Sequence, residues 1–420
     1  MKKVLVAIWI LLSSSVCFGQ SHTDVDAVVG RFQRYYNQLQ TDSIFAMLSE
    51  RSKGLMSLDQ TKATFKQLFS QLGEMRSFEF TKDMEGVSCY KTDFGKATLS
   101  LVVSINDQKQ LETFRFVPYK PDTAMREKSN MILKTKAGNV YGSLTVPDGS
   151  GKVPVVLIIA GSGPTDRNGN SEAGGLNTDA YKMLADSLRN AGIACLRYDK
   201  RGVGESAGAI VSEDSMRFGH IVDDAVGLIK MLKKDSRFSK IIIAGHSEGS
   251  LVGMLAAQKE KVAGFISISG VAQRADKIIE KQLRIQSTDL AELATVIMDS
   301  LSKGYLVKKV DPLTDLFRPS VQPYMISWLK YEPAKEIKKL TIPALIIQGD
   351  VDLQVAVEEA EQLKKAYPRA TLKIIEGMNH PLKHSLRDRT QNAATYNDPK
   401  LPLSKDLMPA LLNFIKSVGA

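Results

Sequence analysis

Residues 241–257 read Ile-Ile-Ile-Ala-Gly-His-Ser-Glu-Gly-Ser-Leu-Val-Gly-Met-Leu-Ala-Ala. The apolar, β-branched start predicts a buried strand, and the small residues after Gly249 predict a helix. Between them lies Gly-x-Ser-x-Gly, typical of a sharp, strained turn whose glycines let the strand and helix pass closely. Such a turn raises the serine hydroxyl above the carboxyl edge of the sheet, where the helix N-terminus directs free amides toward it. Ser247 is therefore the candidate nucleophile.

The same pentapeptide pattern occurs a second time, around Ser206 in residues 204–208. At ordinary glycine and serine frequencies, a chance match in a chain of this size is not rare. Ser206 lies several residues beyond a predicted strand at 193–198, and no clear helical pattern begins directly after Gly208. Context therefore selects Ser247 and not Ser206.

The first 19 residues have the organisation of a targeting segment. Lys2 and Lys3 precede an apolar run at 4–12, and a small residue, Gly19, offers a cleavage point. This predicts a secretory signal peptide and an exported protein, either periplasmic or secreted. A membrane anchor is disfavoured because the run is too short to span a bilayer. Lipoprotein cleavage before Cys17 is the other alternative, and the bulky Val16 argues against it.

Composition excludes several classes of function. The 420 residues are 43% hydrophobic, which is normal for a globular protein with a sizeable core. The net charge of +10, or 10 − 2 = +8 without Lys2 and Lys3, is scattered along helices with acids interleaved. We therefore expect no nucleic-acid partner, and no other stretch is apolar enough for stable membrane insertion. No Cys/His spacing indicates zinc, and Cys89 and Cys195 are expected to be two buried thiols.

Residues 24–120 predict a small α+β domain. Apolar residues recur at helical spacing and are followed by strand-like runs at 77–81, 86–91, 96–105 and 111–119. Two or three helices before an antiparallel meander give this architecture, with aromatic residues in its core. Residues 121–130 are interpreted as a linker. The helical positions are Val25, Val28, Val29, Phe32, Tyr35, Tyr36 and Leu39, then Phe65, Leu68, Phe69 and Leu72.

From residue 131 to 420 the pattern changes to a second, α/β domain. A predicted hairpin at 131–146 and a buried strand at 153–160 precede regular alternation of strands and helices. Alternation of this kind specifies a mostly parallel sheet with helices on both faces. It is interrupted at 271–340 by an amphipathic, mostly helical stretch. An insertion at this point would lie over the carboxyl edge of the sheet as a lid.

A serine nucleophile needs a base, and five histidines are available. His380 follows the late strand 371–375, where a loop can return to the nucleophile, so His380 is the candidate base. His384 is the alternative and could sit on a helix after Pro381. His246 adjoins Ser247, but its side chain is expected to point away from the serine.

The base needs an orienting acid, and the strand at 342–348 ends in Gly-Asp-Val-Asp. Asp350 and Asp352 both lie at the carboxyl end of that strand. We favour Asp352 as the partner of His380, and the other aspartate could cap the following helix.

The developing oxyanion needs two backbone amide donors. The N–H of Glu248, directly after the nucleophile, is one of them. The glycine-rich turn after the strand at 153–159 should supply the other, with Ser162 favoured and Gly163 second, because Pro164 has no N–H. This turn could instead be only a tight connection; it lacks the Lys-Ser/Thr ending of a phosphate-binding loop.

Taken together, these motifs resemble the α/β-hydrolase superfamily across residues 131–420. Within it, the chain is similar to exported bacterial esterases related to the dienelactone hydrolase and serine aminopeptidase groups. Some of those proteins carry a small NTF2-like or cystatin-like domain in front. Two departures are Ala160, where many relatives have histidine, and Val355-Ala356 in place of Val-Pro. The motifs that carry the resemblance are residues 161–170, 198–206, 245–249, 349–352 and 377–380.

The resemblance implies a Ser247, Asp352 and His380 triad, with the amides of Ser162 and Glu248 as the oxyanion hole and no cofactor or metal. The expected activity is a carboxylesterase acting on a small-molecule ester through an acyl-enzyme. An aminopeptidase, acyl-peptide hydrolase or thioesterase is the alternative on the same triad. A peptidase would want a carboxylate in the lid, for which Glu280, Asp289 and Glu292 are available. The alternative outside the enzymes is a non-catalytic binding protein.

Overall fold

The computed structural model describes residues 22–55, 57–84, 87–119, 129–171 and 174–418. The predicted signal peptide, with Cys17, and most of the predicted linker lie outside these residues. The chain divides into two compact units, residues 1–126 and residues 127–420.

The described part of the first unit has four helices followed by a four-stranded antiparallel sheet in the order β1-β2-β3-β4. The helix count exceeds the two or three predicted because α2 and α3 are too short for an apolar period to show. Leu39 was also placed wrongly with the first helix: it is exposed, lies beyond the helix end and has a φ of 53°. The elements are α1 His22–Asn37, α2 Thr41–Ala46, α3 Glu50–Leu55, α4 Leu58–Leu72, β1 Met75–Met84, β2 Val87–Phe94, β3 Thr98–Ile105 and β4 Leu111–Pro118.

Aromatic side chains form the core between the helices and the sheet of this unit, as predicted. The ring of Phe32 lies 5.7 Å from the ring of Phe65 and 4.4 Å from that of Phe114, measured between centroids. All three side chains are buried. The hydroxyl of Tyr36 donates to the carbonyl of Gly73, which satisfies the polar end of a buried ring.

The second unit is built on an eight-stranded sheet with the strand order β12-β11-β10-β9-β7-β8-β6-β5. Strands β7 to β12 run parallel, and β5 and β6 form the antiparallel edge, so the predicted mostly parallel sheet is confirmed. Its strands are β5 Met131–Thr135, β6 Gly138–Thr145, β7 Val153–Ile159, β8 Ala194–Tyr198, β9 Phe238–His246, β10 Gly264–Ile268, β11 Ala344–Gly349 and β12 Thr371–Ile375. The α-helices are α5 Ala180–Asn190, α6 Phe218–Lys234, α7 Glu248–Lys259, α8 Ala275–Arg284, α9 Thr288–Ser302, α10 Thr314–Phe317, α11 Gln322–Trp328, α12 Pro333–Ile337, α13 Val357–Ala366, α14 Arg389–Ala394 and α15 Leu407–Ser417.

Strand β7 shows why helices cover both faces. Val155 and Leu157 belong to the apolar cluster that includes α6 and α7, whereas Val156 and Ile158 belong to the cluster that includes α5 and α15. Successive side chains of a strand point to opposite faces, so a continuous apolar run needs cover on both sides.

The stretch 271–340 between β10 and β11 is a helical insertion, α8 to α12, with an apolar cluster of its own. Its beginning is held by Glu359, whose buried carboxylate accepts from the N–H groups of Ala272 and Gln273. Its later part stacks the ring of Trp328 on that of Phe218 at the start of α6, with 6.0 Å between ring centroids.

Two further observations concern the cysteines and the apolar character of the helices. Cys89 and Cys195 are both buried thiols, as expected. Among the described helices, none combines the length and the apolar character needed to cross a membrane.

Candidate active site

Ser247 occupies the turn between β9, which ends at His246, and α7, which begins at Glu248. Its backbone is strained, with φ 54° and ψ −122°, a combination that L-residues rarely adopt. A Cβ on Gly245, near the end of β9, would lie 2.2 Å from the carbonyl oxygen of Gly249, and a Cβ on Gly249 would lie 2.2 Å from that of Ile159 at the end of β7. The predicted close passage of strand and helix is therefore present, and it leaves the serine partly exposed.

His380 and Asp352 are joined by a hydrogen bond of 2.9 Å between Nδ1 and Oδ2. The Asp352 side chain is completely buried, and its other oxygen accepts from the N–H groups of Gln354 and Val355. Burial alone would raise the pKa of Asp352, but the neighbouring imidazole and these amides hold the pKa below its ordinary value. Asp352 is thus an ionised acceptor that fixes the His380 ring through its Nδ1.

Asp350 has a different role from the predicted helix cap. Its Oδ1 accepts from the N–H of Gly377, and its Oδ2 pairs with Arg387. The residue before α13 is Ala356, which makes no side-chain cap. Asp350 therefore ties the β11 turn to the loop that carries His380, because that loop has backbone donors close to the strand end.

His384 was a weaker candidate for the base. It is exposed, and its segment makes a short antiparallel bridge to Met378 instead of the predicted helix. The next helix begins at Arg389.

His246 links the serine turn to the loop of His380. Its Nε2 lies 3.0 Å from the carbonyl oxygen of His380, and its Nδ1 lies 2.8 Å from the hydroxyl of Tyr181. Because a carbonyl only accepts, Nε2 carries the proton and Nδ1 accepts from the tyrosine. With both ring nitrogens engaged, His246 is not available as a base.

The burial of His246 has a consequence for acid stability. Desolvation and the nearby His380 lower the pKa of His246 from 6.5 to about 3. Below pH 6.5 the imidazole of His246 takes up a proton in the unfolded chain but not in the folded protein. The contribution of His246 to the unfolding free energy is therefore fully present above pH 6.5 and is lost as the pH falls toward 3. Lowering the pH from about 7.5 to about 5.5 should cost about 1.4 kcal/mol of unfolding free energy through this residue.

Urea unfolding of the wild type and of His246→Gln at both pH values measures this contribution. The wild type is expected to lose about 1.4 kcal/mol more than the variant over this interval. An equal loss in both proteins would contradict the assignment of a neutral, buried His246.

The glycine-rich turn after β7 comes close to the serine. A Cβ on Gly161 would lie 3.0 Å from the Cβ of Ser247, and the next residue, Ser162, is exposed at the open side of the turn. The carbonyl of Gly161 accepts from Nζ of Lys200 at 2.5 Å. This turn and the start of α7 therefore both lie beside the serine.

A buried lysine and a buried glutamate lie next to these two segments. Lys200 Nζ is 3.9 Å from Oε1 of Glu248, and the hydroxyl of Tyr324 of α11 faces the same carboxylate. Burial lowers the pKa of Lys200 and raises that of Glu248, and each shift is offset in part by the other residue.

Sequence reasoning missed three residues of this site, Tyr181, Lys200 and Tyr324. Tyr181 and Tyr324 stand in ordinary helical patterns, so no local signal distinguishes them. Lys200 lies in the stretch 198–206 that carried part of the resemblance, and a lysine two residues after a buried strand was the one available clue.

Ser206, the serine of the other Gly-x-Ser-x-Gly stretch, is fully buried, and its hydroxyl accepts from the backbone N–H of Tyr141 at 2.8 Å.

The three acids considered for a peptidase lie in the helical insertion. Glu280 pairs with Lys277 and Arg284, and Asp289 and Glu292 are exposed. Among the described residues, we find no cluster of three or more His, Cys, Asp or Glu side chains that could bind a metal ion.

Parts of the sequence match two protein families, and the chain is similar to a known esterase. Residues 174–386 match the family described as serine aminopeptidase, S33, and residues 30–114 match a family of unknown function, DUF3887. Esterase EstD of Thermotoga maritima is 26% identical over 356 residues, which are 81% of this chain and 83% of that protein.

The chain is also similar to solved structures of esterases. The ferulic acid complex of Est1E from Butyrivibrio proteoclasticus is 21% identical, with a TM-score of 0.46, over 68% of this chain and 100% of that chain. A thermophilic esterase from Thermogutta terrifontis is 18% identical, with a TM-score of 0.42, over 69% of this chain and 99% of that chain.

The first family match spans half of the chain and falls within the unit that holds Ser247, His380 and Asp352. That unit has the mostly parallel sheet and the strand–serine–helix turn described above. The chain therefore belongs to the serine aminopeptidase S33 family of the α/β-hydrolase superfamily.

Proposed function

We propose that this protein is an exported serine hydrolase that cleaves carboxylic esters through an acyl-enzyme, with Ser247, His380 and Asp352 as its triad. The observation that carries the proposal is the bond between His380 and the buried Asp352, on a loop joined through His246 to the strained Ser247 turn. The relation to esterase EstD supports an ester as the substrate.

In the proposed reaction, Oγ of Ser247 attacks the ester carbonyl carbon while Nε2 of His380 takes its proton. The tetrahedral oxyanion is held by the amides of Ser162 and Glu248. Collapse breaks the ester C–O bond, and His380 returns the proton to the departing alcohol. Water then attacks the acyl-enzyme by the same steps and releases the acid. Asp352 keeps its charge throughout and stabilises the imidazolium.

The helical insertion is proposed to act as the lid over the site and to shape an acyl or alcohol pocket of moderately apolar character. Tyr324 reaches the residue after the nucleophile, and Trp328 packs beside it at the start of α6. The export proposal depends on residues 1–19.

The second candidate is an aminopeptidase, favoured by the description of the matching family. An aminopeptidase holds a substrate ammonium, for which an unpaired carboxylate near the serine is suitable. The buried Glu248 already faces Lys200 and Tyr324, and Glu280 is paired with two cations. These contacts favour the ester over the peptide substrate.

Parallel assays test the proposal. The protein is expected to hydrolyse p-nitrophenyl esters from acetate to decanoate and to be much slower on amino-acid p-nitroanilides. A fluorophosphonate probe should label the wild type and leave Ser247→Ala unlabelled. Absence of hydrolysis at every ester chain length would refute the esterase, and faster cleavage of the anilides would favour the aminopeptidase.

A further inference from the structure

We propose that Lys200 is a positioning residue for the oxyanion hole, an inference that rests on the proposed function. Lys200 is not expected to touch the substrate. It acts by fixing the peptide unit that carries one of the two amide donors.

The first observation is the contact of Lys200 with the turn after β7. Its Nζ donates to the carbonyl oxygen of Gly161 at 2.5 Å, and only 7% of its side chain is exposed. A charged donor on a carbonyl in a dry environment is a strong hydrogen bond, and removing it leaves that carbonyl without its charged partner.

The second step follows from the geometry of the peptide bond. The carbonyl of Gly161 and the N–H of Ser162 belong to one planar, trans peptide unit, in which C=O and N–H point in opposite directions. Holding the Gly161 oxygen toward Lys200 therefore directs the Ser162 N–H to the opposite side. That N–H is the donor proposed for the oxyanion, so the lysine sets its direction without reaching the site.

Gly161 is confined on another side as well, because a Cβ there would lie 3.0 Å from the Cβ of Ser247 and 3.4 Å from the carbonyl oxygen of His246. A side chain at this position would crowd the Cβ of Ser247, so glycine suits a turn that lies beside the nucleophile.

Glu248 connects the lysine to the second donor. Its carboxylate lies 3.9 Å from the lysine ammonium, and its own backbone N–H is the other proposed oxyanion donor. The carboxylate balances a cation that would otherwise be costly to bury. A hydrogen bond from a cation also polarises the Gly161–Ser162 peptide unit, which strengthens donation from its N–H as negative charge develops on the substrate oxygen.

The test compares Lys200→Met with Lys383→Met. Lys383 is a matched control because it is also buried and donates to a backbone carbonyl, that of Leu401, at 2.5 Å. Lys200→Met is expected to lower kcat on p-nitrophenyl butyrate by about 10²-fold while KM changes by less than about threefold. Lys383→Met should keep kcat per titrated active site within about threefold of the wild type.

A trifluoromethyl ketone provides a readout that a loss of stability alone would not change. It adds to the serine and places a negative oxygen in the hole, so its affinity should fall in Lys200→Met by the same factor as kcat/KM. Lys200→Arg keeps a charged donor and is expected to recover most of kcat. It serves as the second variant if Lys200→Met does not fold.

An unchanged kcat in Lys200→Met, or an equal loss of kcat in Lys200→Arg, overturns the inference. A wild type that hydrolyses no ester refutes the proposed function as well, whereas an active wild type with an unaffected Lys200→Met refutes this inference alone.

Discussion

Ser247→Ala is expected to lower kcat/KM for p-nitrophenyl esters by about 10⁴- to 10⁶-fold, because it removes the atom that forms the acyl-enzyme. Residual hydrolysis would come from binding and the oxyanion hole alone. Because the side chain of Ser247 is partly exposed, its removal should leave the unfolding free energy close to that of the wild type. Steady-state kinetics with active-site titration measure the first effect, and urea unfolding measures the second.

Ser206→Ala is the matched control, since Ser206 lies in the other Gly-x-Ser-x-Gly stretch of the chain. It should keep kcat per folded molecule. It should also lose about 1–3 kcal/mol of unfolding free energy, because the N–H of Tyr141 loses its acceptor in the interior. If Ser206→Ala abolished activity and Ser247→Ala did not, the nucleophile would have been assigned to the wrong pentapeptide.

Gly249→Ala is expected to destabilise the second unit by at least about 4 kcal/mol. Its new Cβ would lie 2.2 Å from the carbonyl oxygen of Ile159 and 2.6 Å from that of Ala160, both of them backbone atoms. Relief requires α7 to move away from the end of β7, and that movement would also displace the Glu248 amide from the oxyanion hole. We expect poor yield of folded protein, and loss of ester hydrolysis in whatever folds.

Gly219→Ala supplies the comparison. Gly219 is the second residue of α6, as Gly249 is the second residue of α7, and a Cβ there would meet no atom within 4 Å. The same substitution should therefore be neutral or stabilising by up to about 1 kcal/mol. Thermal unfolding of the two variants, side by side, measures the difference. A Gly249→Ala protein as stable as Gly219→Ala would show that the turn is less tightly packed than described.

Much of the fold was predictable because it depends on local patterns. The alternation of apolar runs and helical periods in 131–420 specified the parallel sheet, and the break after Gly270 located the helical insertion. Short elements escaped this reasoning, since α2 and α3 contain too few residues to show a period. Leu39 was assigned to α1 for a different reason: it continues the apolar spacing, although the helix ends at Asn37.

The acid of the site illustrates the limit of sequence reasoning. Asp350 and Asp352 are two residues apart after one strand, and both are suitable by residue type. The folded loop brings Asp352 to the imidazole and Asp350 to the amide of Gly377. The preference for Asp352 remains a prediction about catalysis until an Asp352→Asn protein is assayed.

By itself, the sequence determined the class of fold, the place of the strained serine turn and the order in which Ser247, Asp352 and His380 follow along the chain. These are properties of neighbouring residues, namely side-chain periodicity, glycine spacing and the residue types at strand ends. Only the tertiary structure decided that Lys200 holds Gly161, 39 residues away, and that His246 holds the carbonyl of His380, 134 residues away. Such contacts depend on which strands lie side by side and on where their loops meet at the sheet edge, and no local pattern records that arrangement.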